Sequence, residues 1–265
     1  MYAFYEKFPN KRKIDASDSM KGSYLGPSFK QIEIEQKLKN CGAVFEVINT
    51  TDLLNKIAFE LSNGKAIGFF QGRMEFGPRA LGNRSIIADP RSETMQKILN
   101  LKVKYRESFR PFAPSILRED LSQWFDLNND SPYMLLVDNI KKEHQYKMTK
   151  EQENLFGIDK LNIKRSVIPA VTHVDYSARI QTVHRETNPK FYELINKFKE
   201  ITNCPILVNT SFNVRGEPIV CSPEEAFSCF MGTELDILVV ENCIMFKENQ
   251  NKNLLENYEE KFDLD

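Results

Sequence analysis

Residues 71–110 carry six arginines, Arg73, Arg79, Arg84, Arg91, Arg106 and Arg110, with Gly72, Gly77 and Gly82 set among the first three. A guanidinium grips phosphate or carboxylate oxygens through two parallel N–H bonds. Glycine lets backbone approach a ligand closely or adopt positive φ. The alternative is a solvated basic loop, but Phe76, Leu81 and Ile86 separate the charges instead of letting them run together. The pattern points to a loop that handles phosphate.

Three more polar clusters have the same character. Lys104, Arg106 and Arg110 precede an apolar segment; Arg179, Gln181, Thr182, His184 and Arg185 edge another; Asn209, Thr210, Ser211 and Asn213 follow a third. Four such loops meeting at one end of a sheet would make a single site. Its content is cationic with Asn and Ser donors, and it holds no pair of general bases. Such a site stabilises transferring phosphoryl or acyl charge by position and electrostatics. His173 and His184 read as hydrogen-bonded structural groups, and His144 as a surface residue. Asp175 reads as a partner for Arg179. Ser211 is a turn cap or a ligand group, not an acylated nucleophile, since no base adjoins it.

The elements that must position these clusters alternate. Apolar runs predict strands at 43–48, 66–71, 133–137 (buried), 178–183, 205–208, 236–240 and 243–246. Helical periodicity predicts helices over 28–40 with Ser28 as cap, over about 51–61 capped by Thr51 or Asp52, and over 93–103, 120–125, 188–202 and 223–231. Ser222 with Glu225 has capping-box spacing. The fold class is α/β, one twisted mixed sheet with helices packed around it. Residues 1–27 read as an arm or linker, 28–246 as the domain, 139–165 as an inserted surface loop, and 247–265 as a polar, fraying tail. The strand at 66–71 leads into the arginine loop, which matches neither a Walker A loop nor GxGxxG.

The net charge of −1 gives no global basic field, so nucleic acid is an unlikely partner and any anion site must be local. Five cysteines without a CxxC pair or histidines at ligand spacing argue against zinc and for a reducing compartment. No apolar run approaches the ~20 residues of a membrane span, and the N-terminus has no signal-peptide pattern. The expected location is cytoplasmic, away from membranes.

QGRMEFGPRALGNRSI, KVKYRESFRPFAPS, IPAVTHVD with ARIQTV, and PILVNTSFNVRGEPIV together resemble the C-terminal domain of the carbamoyltransferases that decorate Nod factors and antibiotics. The resemblance runs from about Tyr24 to Phe246, interrupted at 139–165. Lys104-Tyr105-Arg106 and Ser211-Phe212-Asn213 also resemble the KxR and SxN signatures of YrdC proteins. The resemblance implies a YrdC-like fold that makes carbamoyl-adenylate from carbamoyl phosphate and ATP, with Mg²⁺ accompanying the nucleotide and no protein metal ligands. It implies catalytic roles for Lys104, Arg110, Arg179 and Ser211. It implies nucleotide binding by Arg73, Arg79, Arg84, Arg106, Asn209 and Asn213. Full-length members begin with a large ATPase-like domain that passes the carbamoyl group to an acceptor hydroxyl. A separate chain is the expected carrier of that domain here. A nucleotide- or RNA-binding module and a non-catalytic partner subunit are the alternatives.

Overall fold

Strands buried on both faces need near-continuous apolar runs, and this chain has several. β1 is Glu46–Val47, β2 Ile67–Phe70, β3 Arg84–Ala88, β4 Ala113–Leu117, β5 Leu136–Asn139, β6 Ser177–Val183, β7 Ile206–Ser211, β8 Ile237–Val240 and β9 Cys243–Phe246. The computed structural model describes residues 6–7, 18–161, 163–255 and 258. Within them these strands form one mixed sheet in the order β1-β9-β8-β2-β3-β7-β4-β6-β5. β2 runs parallel to β8 and β4 to β6, and the other pairs are antiparallel.

Four longer helices cover the sheet: α1 Gln31–Asn40, α2 Thr50–Ser62, α3 Pro189–Thr202 and α4 Pro223–Met231. Adjacent residues of β2 show that both faces are covered. Phe69 meets Phe191 of α3 at 6.2 Å between ring centres, while Phe70, pointing the other way, meets Phe29 at the base of α1 at 6.1 Å. The caps follow local chemistry. Ser222 and Glu225 form the expected capping box on α4, and Asn188 caps α3 ahead of Pro189. α2 is capped one turn earlier than expected, by Asn49, whose side chain accepts from Asp52 N. α1 starts at Gln31 with no side-chain cap, so Ser28 stays in the extended lead-in.

Further expectations change. The apolar run at 133–137 is not a buried strand. The strand lies at Leu136–Asn139 on the sheet edge, paired on one side only, and leaves Leu135 70% and Val137 57% exposed. The helix at 93–103 is one α-turn, Met95–Ile98, continuing into a wider π-turn, Leu99–Val103, with Lys104 N donating to Leu99 O at 2.9 Å. The strand expected at 43–48 shortens to Glu46–Val47.

The flanking segments are packed. Residues 18–27 lie against the arginine loop: Gly26 N donates to Met74 O, Met74 N to Pro27 O and Phe76 N to Ser23 O. After β9, the Gln250 side chain bonds both Val44 N and Val44 O, and Tyr258 is buried. Residues 1–5 and 8–17 of the expected arm and 256–257 and 259–265 of the expected tail lie outside the described residues. Residues 139–165 carry short helical turns at Lys142–His144, Lys150–Glu153 and Gly157–Leu161. Buried Arg165 ties the last of them down by donating to the carbonyls of Lys160 and Leu161 as well as that of Thr172. His144 stacks on Trp124 at 4.1 Å.

One glycine is fixed by packing as well as conformation. Gly82 has φ +106°, and a Cβ there would stand 2.3 Å from the buried Phe191 ring. Gly82→Ala therefore forces α3 away from the loop. The expected loss is ~1–3 kcal/mol from overpacking, with added backbone strain, read as a lower urea midpoint at unchanged m-value.

Candidate functional site

The antiparallel pairing of β7 with β3 and β4 puts the C-terminal end of β7 beside the N-terminal ends of both. β6, parallel to β4, starts at the same end. Ala113 pairs with Asn209, Ser85 with Ser211, and Ser115 with Gln181. Residues of the four polar clusters thus meet at one end of the strands, with Arg179 and Gln181 contributed from within β6 while His184 and Arg185 follow its far end. Between them lies a cleft of about 90 Å³, lined by the polar side chains Arg79, Arg106, Arg179, Asn209, Thr210 and Ser211. Its apolar walls come from Met134 and from the segments 78–80 and 111–113. No carboxylate is among the lining residues.

The loop between β2 and β3 aims Arg79 into this cleft, and two buried groups shape it. Glu75 Oε1 accepts from Leu81 N at 2.6 Å, Asn83 N at 2.7 Å and Arg84 N at 3.3 Å. Burial pushes the Glu75 carboxyl up from its ordinary value. Arg84 is fully buried, stacked 3.5 Å over Phe70, and donates to the carbonyls of Pro27, Gln71, Gly72 and Asn83. Burial pushes its pKa down to about 10.

The remaining cations are held from below. Arg106 Nε donates to Asn100 Oδ1 at 2.7 Å, and the guanidinium lies 5.0 Å over Phe112. Burial lowers its pKa to about 10, and the Arg110 charge adds to the shift. Arg179 is lowered by burial and by the charge of Arg79, and its Nε is buried without a partner. Lys104 emerges from the π-turn into a nest of acceptors. Its ammonium donates to Ser211 O, to Asn213 O and Oδ1 at 2.8 Å each, and to Ser211 Oγ at 3.3 Å. Burial pushes its pKa down to about 7, with the neighbouring Arg106 charge acting in the same direction.

Arg79, Arg106, Arg179, Asn209 and Ser211 therefore share one cleft, with Lys104 and Asn213 directly behind Ser211. Arg73, Arg84 and Arg110, also selected from the sequence, lie away from it. Arg84 is enclosed by backbone carbonyls. Arg73 is exposed and donates to Leu25 O at 2.8 Å. Arg110 pairs at the surface with Glu107 at 3.0 Å. Asp175 turns to Ser177, accepting from its N at 3.0 Å and Oγ at 2.7 Å, and does not pair with Arg179. His173 shares the Ser177 hydroxyl, and His184 bonds Thr182 Oγ1.

Beneath the cleft lies a buried amide layer of Asn209, Gln181 and Ser115, of which only Ser115 was not picked out from the sequence. Gln181 Oε1 accepts from Ser115 Oγ at 2.5 Å and Asn209 Nδ2 at 2.8 Å, while Gln181 Nε2 donates to Leu81 O. Asn209 Oδ1 is left buried without a donor. The available signal was period-2 spacing. Gln181 is two residues past Arg179 and Asn209 two before Ser211, so each pair shares a strand face.

Sulfate, which does not titrate near neutrality, should report the charge behind the cleft. A depressed lysine pKa means the ammonium is present below about 7 and lost above it. Sulfate affinity by calorimetry should fall as pH rises through that value, and Lys104→Met should flatten the step. A wild-type profile that stays flat would show that Lys104 keeps one charge state or acts too weakly at the cleft.

Comparison with known proteins bears on this geometry. An uncharacterized protein of Synechocystis sp. is 55% identical over 265 residues, 99% of this chain and 43% of its own length. Nodulation protein NolO of Bradyrhizobium diazoefficiens is 42% identical over 221 residues, 82% of this chain and 37% of its own length. Nodulation protein NolNO of Sinorhizobium fredii is 41% identical over 228 residues, 84% of this chain and 31% of its own length. The chain thus spans less than half the length of these relatives. The family model described as carbamoyltransferase C-terminus matches residues 58–247, which include every polar residue lining the cleft, and the chain belongs to that family.

Proposed function

We propose that this chain forms carbamoyl-adenylate from carbamoyl phosphate and ATP, for transfer to an acceptor hydroxyl by an ATPase-like domain or chain. The observation that carries the reading is the cleft itself. Three guanidiniums surround about 90 Å³ with no acid among the lining residues, and the floor holds an acceptor without a donor at Asn209 Oδ1. That combination suits a small ligand with an oxyanion at one end and an amide N–H₂ at the other. Carbamoyl phosphate is such a ligand.

The atoms balance with one water. Water takes the phosphoryl group of carbamoyl phosphate, leaving carbamate and phosphate. A carbamate oxygen then attacks the α-phosphorus of ATP, and the bond to the β,γ-bridged leaving group breaks to release pyrophosphate. Both steps develop charge on phosphoryl oxygens. Arg79, Arg106 and Arg179 would meet that charge already oriented, which is where preorganised electrostatics lowers a barrier. Lys104 would fix the Ser211 wall through its four acceptors. The cleft holds one small anion but not a nucleotide. ATP would extend past Pro111, which also lines an adjoining groove of about 260 Å³ walled by Phe109, Thr172 and His173. Mg²⁺ would arrive on the ATP phosphates, its usual ligands. Among the described residues, no group of three His, Cys, Asp or Glu side chains stands ready for a metal.

The test is pyrophosphate release from ATP and Mg²⁺ with and without carbamoyl phosphate. Release should require carbamoyl phosphate. Arg179→Ala should slow it by about 10²–10³, the usual cost of one preorganised donor. Wild-type protein that binds neither substrate and releases no pyrophosphate would end the reading. Turnover by this chain alone would separate a catalytic half from a subunit that only completes another chain's site.

A further inference from the structure

The turn that holds Lys104 is itself held by the C-terminal segment. Asn213 Oδ1 accepts from both Lys104 Nζ and, at 2.7 Å, Ser211 Oγ. Asn213 Nδ2 donates to Glu217 O at 2.6 Å, which orients the amide so that its oxygen faces the ammonium. The Glu217 carboxylate closes the same turn, taking Val214 N on Oε2 at 2.8 Å. Its other oxygen, Oε1, accepts from the Tyr258 hydroxyl at 2.9 Å. Tyr258 is 4% exposed and its ring rests on Gly232, where a Cβ would stand 2.1 Å away. Tyr105, next to Lys104, reaches the same glycine from its own side, donating to Gly232 O at 2.8 Å. Arg215 N returns to Lys104 O at 3.2 Å. An unbroken set of contacts thus joins Tyr258 to Lys104 and Ser211.

We propose that Tyr258 is a positioning residue: by holding Glu217 it fixes the 213–217 turn, and through Asn213 it sets the placement of Lys104 and of the Ser211 wall of the anion cleft. The C-terminal segment is then part of the site's support. A carboxylate that shares one oxygen with a backbone N–H and the other with a phenol cannot rotate without losing both bonds. Removing the phenol takes away the Tyr258 bond to Glu217, along with its 3.4 Å contact to Ser228 Oγ, leaves the carboxylate with the Cys229 thiol on that side, and loosens the turn. The kinetic side of this inference rests on the carbamoyl-adenylate reading; the structural side does not.

Tyr258→Phe keeps the ring over Gly232 and deletes only the hydroxyl, so folding should survive. Two readouts follow. Hydrogen exchange at Val214 N–H should speed by about tenfold or more, with β2 and β8 amides unchanged. kcat for pyrophosphate release should fall about tenfold while the KM for ATP moves less than about twofold, since the loss is of placement at the reacting end. Glu217→Gln, which keeps one acceptor oxygen for Val214 N–H and turns an amide N–H₂ toward the Tyr258 oxygen, should fall between wild type and Tyr258→Phe. If either Val214 exchange or kcat matches wild type in Tyr258→Phe, the proposal is wrong. If the wild-type protein makes no pyrophosphate at all, the adenylate reading fails by itself. The positioning claim is then decided by Val214 exchange together with sulfate affinity, which Tyr258→Phe should weaken about tenfold, and unchanged affinity would refute it.

Discussion

The site depends on how the chain keeps a fully buried guanidinium without an acid to pair it. Arg84 lies inside the molecule and its two terminal NH₂ groups donate to four backbone carbonyls, from Pro27, Gln71, Gly72 and Asn83, while its Nε is buried without a partner. Leaving such a charge unsolvated would cost several kcal/mol, so each of those carbonyls has to stay where it is. They belong to the arm before α1, to the exit of β2, and to the last residue before β3. Glu75 does the reciprocal job, gathering the N–H groups of Leu81, Asn83 and Arg84 on one oxygen. A buried cation collects carbonyls and a buried anion collects amides, and between them a loop of irregular backbone becomes a fixed shape. Arg79 projects from that shape.

The cleft itself gathers like charge, which is unfavourable until an anion arrives. Arg179 and Arg106 are each depressed by burial and by a neighbouring cation, and Lys104 is depressed furthest in the same way. The surrounding acids are used elsewhere. Glu107 sits at the surface with Arg110 and Arg215, and Asp175 is occupied by Ser177. The structure thus concentrates uncompensated positive charge in one small space while the chain as a whole is nearly neutral. An oxyanion entering there relieves repulsion as well as forming hydrogen bonds. Local charge density, not net charge, is what makes the site selective for anions.

Much of this was legible in the chain. The caps at Asn188 and Ser222, the central strands and the convergence of four polar clusters all follow from periodicity and turn chemistry. So did the grouping of Arg79, Arg106, Arg179, Asn209 and Ser211. What sequence could not say is which arginine of a loop turns inward. Arg73, Arg79 and Arg84 are alike in type and setting, yet one reaches the arm, one the cleft and one the interior. Arg73 goes to the carbonyl of Leu25, and Arg84 to that of Pro27 as well as to nearer ones, and residues 25–27 are far off in sequence. Arg110 carried a local hint in Glu107, three residues earlier. The apolar run at 133–137 was misread because burial depends on a strand's place in the sheet, and nothing local reveals that β5 is outermost. Ser115 was hidden for the opposite reason, as a single polar residue within a strand that is otherwise apolar.

The absence of a base among the lining residues constrains how any reaction here could be fast. No carboxylate or histidine lines the cleft, and the one amine beside a hydroxyl, Lys104 at 3.3 Å from Ser211 Oγ, is also spent on three other acceptors, so rate enhancement rests chiefly on placement and electrostatics. Those effects fall off steeply with small displacements, so the supporting structure must be stiff. The features that looked peripheral in the chain are where that stiffness resides. Residues 18–27 brace the loop that carries Arg79, the π-turn at Leu99–Val103 delivers Lys104, and Tyr258 closes the turn that Lys104 grips. Segments from both flanks of the domain converge on a handful of cations because only a rigid arrangement of those cations has chemistry to offer.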